Sequence, residues 1–243
     1  MITAIIQARI SSTRLPGKIM TRFSGNTLLG HIIGRISYSK YLSKIIVATT
    51  ENPADDKLVE WLKTNNIEYF RGSESDVLNR YYATAKKFNA NHIARITSDD
   101  PFKDPHIIDD VAQLYFENSL DFAFNNKPPS FAEGLDTEIF SFSALSIAET
   151  NAVDPFEREH VTQHFYRNPE KFSQKNLISS KDFSHLRWTI DTEQDLLMTK
   201  MVYENLYKPG QIFLADDILS LIERNPQIPL INQNVKRSDM YKK

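Results

Sequence analysis

The chain lacks several features that would assign it to a class of protein at once. None of its 243 residues is a cysteine, which excludes disulfide bridges, a thiol nucleophile and cysteine-ligated metals. No apolar run approaches the roughly 20 residues of a membrane span, and Met1 leads directly into a strand-like segment. The formal net charge of −2 differs from that of a typical nucleic-acid binder, which is basic. We therefore expect a cytoplasmic protein without membrane insertion and without a nucleic-acid partner.

The first half of the chain alternates apolar strands with amphipathic helices. Predicted strands lie at residues 2–8, 44–50, 67–70, 92–97 and 120–124. This alternation predicts an α/β fold with a mostly parallel sheet, right-handed crossovers and helices on both faces. Ligands of such sheets bind beyond the carboxyl ends of the strands, so the loops that follow the strands are the candidate site.

The second half is less regular. We expect a strand at 137–142, helices at 155–167, 193–206 and 215–224, and strands near 172–178 and 185–190. The segment NNKPPSFAEGLD carries two prolines and a glycine, which is typical of an exposed excursion. We predict one domain over residues 1–243, with a small inserted arm at about 125–142 and a loose tail at about 225–243.

Three cations, Arg9, Arg14 and Lys18, lie in the loop that follows the first predicted strand. Guanidinium groups bind phosphate oxygens bidentately and lysine adds a point charge, so this loop suits a polyphosphate. The loop lacks the GxxxxGK[ST] sequence of a P-loop and the GxGxxG sequence of dinucleotide-binding dehydrogenases. The alternative is a solvated loop whose charges face water.

Two aspartates follow predicted strands and precede predicted helices. Asp99 comes after the fourth strand, and Asp191 comes after the last. Mg²⁺ prefers oxygen ligands and often takes one or two carboxylates together with phosphates. If the two side chains met over one cleft, they would form a metal site for phosphoryl transfer. Each is explained equally well as a helix cap.

Polar residues in the second half could contact a sugar. Asp136 and Glu138 share one face of a predicted strand, and Arg158, Glu159 and His160 are consecutive on a predicted helix. Facing solvent is the alternative for both groups.

The same helix raises the question of zinc. Glu157, His160 and His164 have i, i+3, i+7 spacing, but this is not the HExxH pattern, and we disfavour a zinc site.

A co-linear set of segments resembles one known family. The segments are IIQARISSTRLPGK, IIVATTENPADDKLVEW, RGSESDVLNRYYATAK, ARITSDDPFKDPHIID, GLDTEIFS, DPFEREHVTQHFYRNPEKF and RWTIDTEQDLLM. They resemble the cytidylyltransferases that activate acidic sugars, the CMP-sugar synthetases, and most of all the SpsF-type branch of spore-coat polysaccharide biosynthesis. The resemblance covers about residues 1 to 205. It implies a three-layer, Rossmann-like nucleotide-diphospho-sugar transferase fold, CTP as co-substrate, Mg²⁺ and a homodimer.

The resemblance also implies roles for individual residues. The catalytic residues would be Arg14, Lys18, Asp99 and Asp191, of which Asp99 and Asp191 would bind Mg²⁺. CTP would contact Arg9, Ser11, Ser12, Arg14, Lys18, Arg71, Gly72, Ser73 and Arg80, with residues 71–73 near the nucleobase. From the residues themselves, we expect the sugar to contact Asp136, Glu138, Arg158, Glu159 and His160, with Arg158 and His160 for its carboxylate and hydroxyls. This chain has Ser11 and Ser98 where the branch usually has glycine.

We therefore predict transfer of CMP from CTP to a sugar, a 2-keto-3-deoxy sugar acid, with release of pyrophosphate for surface polysaccharide biosynthesis. Two rival functions stay open at this point. One is a glycosyltransferase of the same fold that uses a ready-made nucleotide sugar, although Asp99-Asp100 is not the Asp-x-Asp motif it would need. The other is a non-catalytic nucleotide-binding protein. The identity of the sugar does not follow from the sequence.

Overall fold

The computed structural model describes residues 1–12 and 14–236. The strands are β1 Ile2–Gln7, β2 Arg22–Phe23, β3 Asn26–Thr27, β4 Leu42–Thr50, β5 Glu68–Gly72, β6 His92–Thr97, β7 Phe122–Phe124, β8 Glu138–Ser141 and β9 Gln174–Asn176. The helices are α1 Leu28–Ile36, α2 Asp56–Thr64, α3 Val77–Lys87, α4 Pro105–Glu117, α5 Phe142–Asn151, α6 Pro155–His160, α7 Gln163–Arg167, α8 Glu193–Leu206, α9 Ala215–Arg224 and α10 Gln227–Leu230.

Seven strands form one sheet in the order β5-β4-β1-β6-β8-β7-β9. The pairs β5–β4, β4–β1, β1–β6 and β7–β9 are parallel, whereas β8 runs antiparallel between β6 and β7. The predicted mostly parallel α/β sheet is confirmed. Because β1, β4, β5 and β6 point the same way, the loops that follow them share one edge of the sheet.

Helices cover both faces of the sheet, as predicted. Ala4 and Ile6 of β1 belong to a core with apolar residues of α1, α2, α8 and α9. Ile5 points to the other face and packs with residues of α3, α5 and α7. The apolar side chains of β1 thus pack against the helices on both faces of the sheet, which is typical of a strand buried on two sides.

Side-chain caps begin the helices that frame this edge. Asp104 and Asp154 accept hydrogen bonds from the backbone N–H groups of His106 and Phe156, and each precedes a proline at the first helical position. Thr192 begins α8 with a capping box to Asp195. The helix starts predicted at residues 155 and 193 are confirmed.

The predicted inserted arm at 125–142 is wrong in its extent. Lys127, Pro128 and Pro129 are exposed, but Ile139 and Phe140 are fully buried because β8 lies inside the sheet. Most of residues 130–135 are buried as well. The prolines marked a tight turn, and the apolar residues after it return to the core.

The predicted loose tail is wrong for residues 225–236. Ile228 of α10 is buried, and the buried Asn232 donates hydrogen bonds to the side chain of Asp195 and the carbonyl of Arg187. Residues 237–243, which the prediction also included, lie outside the described residues.

Two predicted elements differ in form. The helix at 155–167 is divided into α6 and α7 at Val161, whose φ is +50°. Residues 185–190 form no regular strand, and Arg187 makes only an isolated bridge with Glu133 there. Over the described ranges, no helix is long and apolar enough to cross a membrane.

Candidate active site

Two adjoining cavities open at the carboxyl edge of the parallel strands. The outer cavity has a volume of about 470 Å³ and is lined by Gln7, Ala8, Arg9, Ser12, Arg14, Lys18, Ile19, Glu74, Ser75, Val77, Arg80, Ser98, Asp99, Glu159, His160 and Asp191. The inner cavity has a volume of about 170 Å³ and is lined by Gln7, Arg14, Arg95, Thr97, Asp99, Asp100, Lys103, Asn126, Glu133, Gly134, Asp136, Glu138, His160, Thr189 and Asp191. Five residues line both cavities, which therefore form one cleft.

The loop after β1 folds back on itself beside the outer cavity. The N–H groups of Ser12 and Gly17 both donate to the carbonyl of Ile10, and the Ile10 N–H donates to the Asp55 carboxylate at 2.7 Å. Gly17 has φ of +74°, a conformation that costs glycine little and side chains more. This turn directs the chain inward at Lys18.

Lys18 is the centre of the cleft. Its Nζ donates to Asp191 Oδ1 at 2.9 Å, to Asp99 Oδ2 at 3.2 Å and to the carbonyl of Ile190 at 2.6 Å. The residue is only 8% exposed. Burial opposes its charge, but the attraction of the two carboxylates is stronger, and the pKa of Lys18 is raised. The two predicted aspartates thus meet at one cation.

Asp191 is held from two sides. Its Oδ1 accepts from Lys18 and also contacts Nη2 of the half-exposed Arg14 at 2.9 Å. Its Oδ2 accepts from Nη2 of the buried Arg187 at 2.9 Å. Asp195 receives two hydrogen bonds from Arg187 and one from the Asp191 backbone N–H. Arg187 was not among the predicted site residues, and its only sequence signal was a cation inside an apolar segment.

Further predicted nucleotide-binding residues line the outer cavity. Arg9, Ser12 and Arg80 do so, together with Glu74. Arg9 and the hydroxyl of Ser11 both contact Glu74 Oε1, at 3.5 and 3.1 Å. Ser11 is therefore beside the cavity without belonging to its lining.

The stretch predicted to lie near the nucleobase has another role. Arg71 donates to the carbonyls of Thr50 and Asn52 and pairs with Asp56 at 2.7 Å, which ties the loop after β4 to β5. Gly72 and Ser73 likewise do not belong to the lining of either cavity, and the carbonyl of Ser73 accepts from Arg80. Direct contact of these three positions with a nucleotide stays a prediction, and four residues of the 74–80 segment line the outer cavity beside them.

The carboxylate of Glu138, which was expected to contact the sugar, accepts hydrogen bonds from three protein side chains. It lies opposite Arg95 across the β6–β8 pair, and Arg95 Nη1 donates to its Oε2 at 2.5 Å. Its Oε1 accepts from Thr162 at 2.9 Å and from Tyr166 at 2.8 Å. Burial favours the neutral carboxyl of Glu138, but the charge of Arg95 and the hydrogen bonds that the carboxylate accepts together have the larger effect, and the pKa of Glu138 is lowered. Glu138 lines the inner cavity chiefly as the anchor of Arg95.

Asp136 also lines the inner cavity, as expected for a residue that contacts a sugar. Its backbone carbonyl accepts from Lys103 Nζ. Lys103 in turn pairs with Asp100 at 2.8 Å, and burial raises the pKa of Asp100 to about 7. Asp100 therefore faces Lys103 rather than Lys18.

The helix α6 ends beside the cleft, at His160. At Val161 the Thr162 N–H donates to the His160 carbonyl at 2.5 Å, as in a γ-turn, a strained conformation for a β-branched residue. His160 lines both cavities and Glu159 lines the outer one. Burial lowers the pKa of His160.

Arg158, predicted to contact the sugar, is turned toward other protein groups in this structure. Its guanidinium pairs with Asp76 at 2.6 Å and with Glu149 at 2.9 Å, and it belongs to the lining of neither cavity. His164, one of the disfavoured zinc candidates, contacts Glu157 at 2.7 Å.

The donor set of Asp99 and Asp191 fits Mg²⁺. The two carboxylates lie close together, since each contacts Lys18 Nζ, and Asp99 keeps 31% of its side chain exposed. Within residues 1–12 and 14–236, no group of three or more carboxylates or histidines is arranged to hold a metal. Two carboxylates are nevertheless a usual protein contribution where phosphate oxygens complete the coordination.

The chain belongs to the cytidylyltransferase family, since the profile described as "Cytidylyltransferase" matches residues 3–224. It is therefore a nucleotidyltransferase, and its family transfers cytidylyl groups.

Similar proteins span nearly the whole chain. An uncharacterized protein of Methanocaldococcus jannaschii is 35% identical over 97% of this chain and 96% of its own length. The spore coat polysaccharide biosynthesis protein SpsF of Bacillus subtilis is 30% identical over 93% of this chain and 95% of its own length. A cytidylyltransferase structure from Leptospira borgpetersenii is 36% identical, covers 98% of both chains and has a TM-score of 0.89.

The match to a better-defined activity is shorter. The 3-deoxy-manno-octulosonate cytidylyltransferase of Geobacter sulfurreducens is 29% identical over 48% of this chain and 46% of its own length. The chain thus aligns with about half of that relative.

Proposed function

We propose that the protein transfers CMP from CTP to a hydroxyl group of a sugar and releases pyrophosphate. The observation that carries this proposal is the convergence of Arg14, Lys18, Asp99 and Asp191 in a cavity that Arg9 and Arg80 also line. A triphosphate brings several negative charges, and this loop offers both guanidinium forks and an ammonium group.

CTP would occupy the outer cavity, with its base toward residues 74–80 and its triphosphate on the loop after β1. Arg9 and Arg14 are 42% and 49% exposed in their side chains, so both can turn toward phosphate oxygens. Lys18 is fixed by its carboxylate partners and would stabilise the charge that develops as pyrophosphate departs.

Asp99 and Asp191 would hold Mg²⁺ once Arg14 exchanges Asp191 for a phosphate. When bound, Mg²⁺ neutralises phosphoryl oxygens and makes a coordinated hydroxyl more acidic. The residues of the chain orient the reactants, so that the acceptor hydroxyl in the inner cavity faces the α-phosphorus opposite the pyrophosphate leaving group.

We propose a 2-keto-3-deoxy sugar acid as the acceptor, destined for a surface polysaccharide. Support comes from the partial match to 3-deoxy-manno-octulosonate cytidylyltransferases and from the full-length match to SpsF. The inner cavity is lined by polar and charged groups, among them Asp136 and His160, which suits a polyhydroxylated ligand.

We further propose a homodimer that acts in the cytoplasm, where CTP is synthesised. The family resemblance supports the dimer. Light scattering coupled to gel filtration checks it, and a monomeric mass at micromolar protein concentration would contradict it.

The test of the reaction is pyrophosphate release from each of the four ribonucleoside triphosphates with a panel of sugar acids and Mg²⁺, with the nucleotide products followed by ³¹P NMR. We expect release from CTP and a new CMP-sugar diester signal. Preference for another triphosphate would contradict the assignment of CTP. Turnover of a nucleotide sugar without pyrophosphate would support a glycosyltransferase instead.

A further inference from the structure

We infer that Arg95 receives the carboxylate of the acceptor in the inner cavity, and that the adjacent Gln7 binds one of its hydroxyls. This assignment rests on the proposed function, because it gives the inner cavity to the acceptor. It replaces the sequence-based assignment of the sugar carboxylate to Arg158.

Arg95 is a buried cation with one N–H donor that makes no hydrogen bond to the described residues. It lies on β6, is 8% exposed and lines the inner cavity. Its Nη1 is bound to Glu138, but its Nε–H has no hydrogen-bond partner among the described residues. A buried polar group without a partner costs free energy, and a substrate oxygen would remove that cost.

The cross-strand pair of Arg95 with Glu138 is poorly explained by stability alone. Taking two charges out of water costs free energy that their attraction often fails to exceed, and apolar residues of similar volume commonly serve as well. Glu138 is itself fixed by Thr162 and Tyr166, so the guanidinium is held rigidly at the wall of the cavity. Such a preorganised cation suits a planar carboxylate.

The carboxylates that line the inner cavity do not exclude an anionic ligand, because most of them already have a cationic partner. Asp99 and Asp191 contact Lys18, Asp100 contacts Lys103, Glu133 contacts Arg187 and Glu138 contacts Arg95. Lys103 is 1% exposed and bound to Asp100 and the Asp136 carbonyl, and Arg14 contacts Asp191 from the loop after β1. Arg95 is paired with Glu138 as well, but its Nε–H has no partner among the described residues. Arg95 is thus the cation best suited to a substrate carboxylate.

Gln7 provides a neutral group at the boundary of the two cavities. It ends β1, lines both cavities, and its buried Oε1 has no hydrogen-bond partner within residues 1–12 and 14–236. An amide oxygen accepts from a hydroxyl but does not attract a carboxylate. Gln7 therefore binds a hydroxyl of the acceptor, and Arg95 binds its carboxylate.

The test compares acids with their carboxamides as acceptors. Pyrophosphate release from CTP is measured with 3-deoxy-manno-octulosonate, N-acetylneuraminate and the carboxamide of each, to obtain kcat and KM for every acceptor. The variants are R95Q/E138Q, which removes both charges of the pair together, and Q7L, a matched variant of the same cavity that leaves the cation in place. Thermal melting and the KM for CTP report the integrity of the fold and of the outer cavity.

In the wild type we expect kcat/KM for the preferred acid to exceed that for its carboxamide about tenfold or more, as one charge-assisted hydrogen bond allows. R95Q/E138Q should reduce this ratio to about one with an unchanged KM for CTP. Q7L should raise the KM of acid and carboxamide alike and preserve the ratio. An undiminished acid preference in R95Q/E138Q, or equal use of acid and carboxamide by the wild type, would overturn the assignment to Arg95 while CMP transfer stands. Absence of pyrophosphate release with every acceptor would overturn the proposed function and this assignment together.

Discussion

The two cavities of the cleft are built in opposite ways. The outer one takes Arg9, Arg14 and Lys18 from a single loop, and two of these cations are half exposed. The inner one takes its charges from strands and segments far apart in the chain, and its cations Arg95 and Lys103 are buried against carboxylates.

This difference corresponds to two modes of recognition. Exposed cations on one loop can turn toward a polyanion whose charge supplies the binding free energy. Buried, paired groups on a sheet cannot move far, so they select a ligand by shape and by the few donors and acceptors left over. Substitutions in the outer cavity should therefore act on nucleotide binding and catalysis, and substitutions in the inner cavity on the choice of acceptor.

The largest effect is expected at Asp99, where the two cavities meet. D99N keeps the shape of the side chain but removes one of the two charges that face Lys18, so turnover should fall by about 10³-fold or more while the fold is retained. Pyrophosphate release and circular dichroism measure the two properties. D56N, in a carboxylate that is 58% exposed and belongs to neither lining, is the control. Near-wild-type rates for D99N would remove Asp99 from the mechanism.

A smaller effect is expected behind Asp191. In R187K the charge remains, but a single ammonium cannot reproduce the contacts of the guanidinium with Glu133, Asp191 and Asp195. Asp191 should lose its fixed orientation, and kcat should fall about tenfold with the KM for CTP changed less than twofold. A melting temperature that falls without any change in kcat would show that Arg187 only stabilises the fold.

At Arg9 we expect a change in binding rather than in rate. The side chain is exposed and its contact with Glu74 is long, at 3.5 Å, so R9Q should raise the KM for CTP a few-fold and leave kcat nearly unchanged. The difference from wild type should shrink as salt is added, because exposed charges are screened. A salt-independent loss of kcat would contradict a role in attracting the triphosphate.

The smallest effect on catalysis is expected at Arg158. R158Q breaks its pairs with Asp76 and Glu149 and should lower the free energy of unfolding by about 1 kcal/mol. The KM for the acceptor should stay within about twofold of wild type, as measured in the pyrophosphate assay. A tenfold rise in that KM would support the sequence-based prediction that Arg158 contacts the sugar.

The same contrast between the cavities explains what the sequence could predict. The cations of the outer cavity are neighbours in the chain and follow a predicted strand, and Asp99 follows another predicted strand of the same sheet. Asp191 belongs to the less regular second half, and only the family resemblance joined it to Asp99. The strand and helix pattern of the first half placed these loops together, and the structure brings the side chains to Lys18.

The arrangement of the inner cavity depends on strand pairing and on ion pairs between distant residues, which cannot be read from the sequence. Glu138 was expected to meet a sugar, but the antiparallel register of β8 places it opposite Arg95. Arg158 was expected to line a sugar pocket together with Glu159 and His160, but Asp76 and Glu149 from other elements bind its guanidinium. Arg95 itself was visible only as a charged residue within the apolar strand HIARIT.

The most direct test of the central claim is a crystal structure of the protein with CTP and Mg²⁺. We expect the triphosphate in the outer cavity on Arg9, Arg14 and Lys18, with one ion bound by both Asp99 and Asp191. Arg14 should have left Asp191 for a phosphate oxygen. A triphosphate bound elsewhere, or an ion that neither aspartate contacts, would contradict the account.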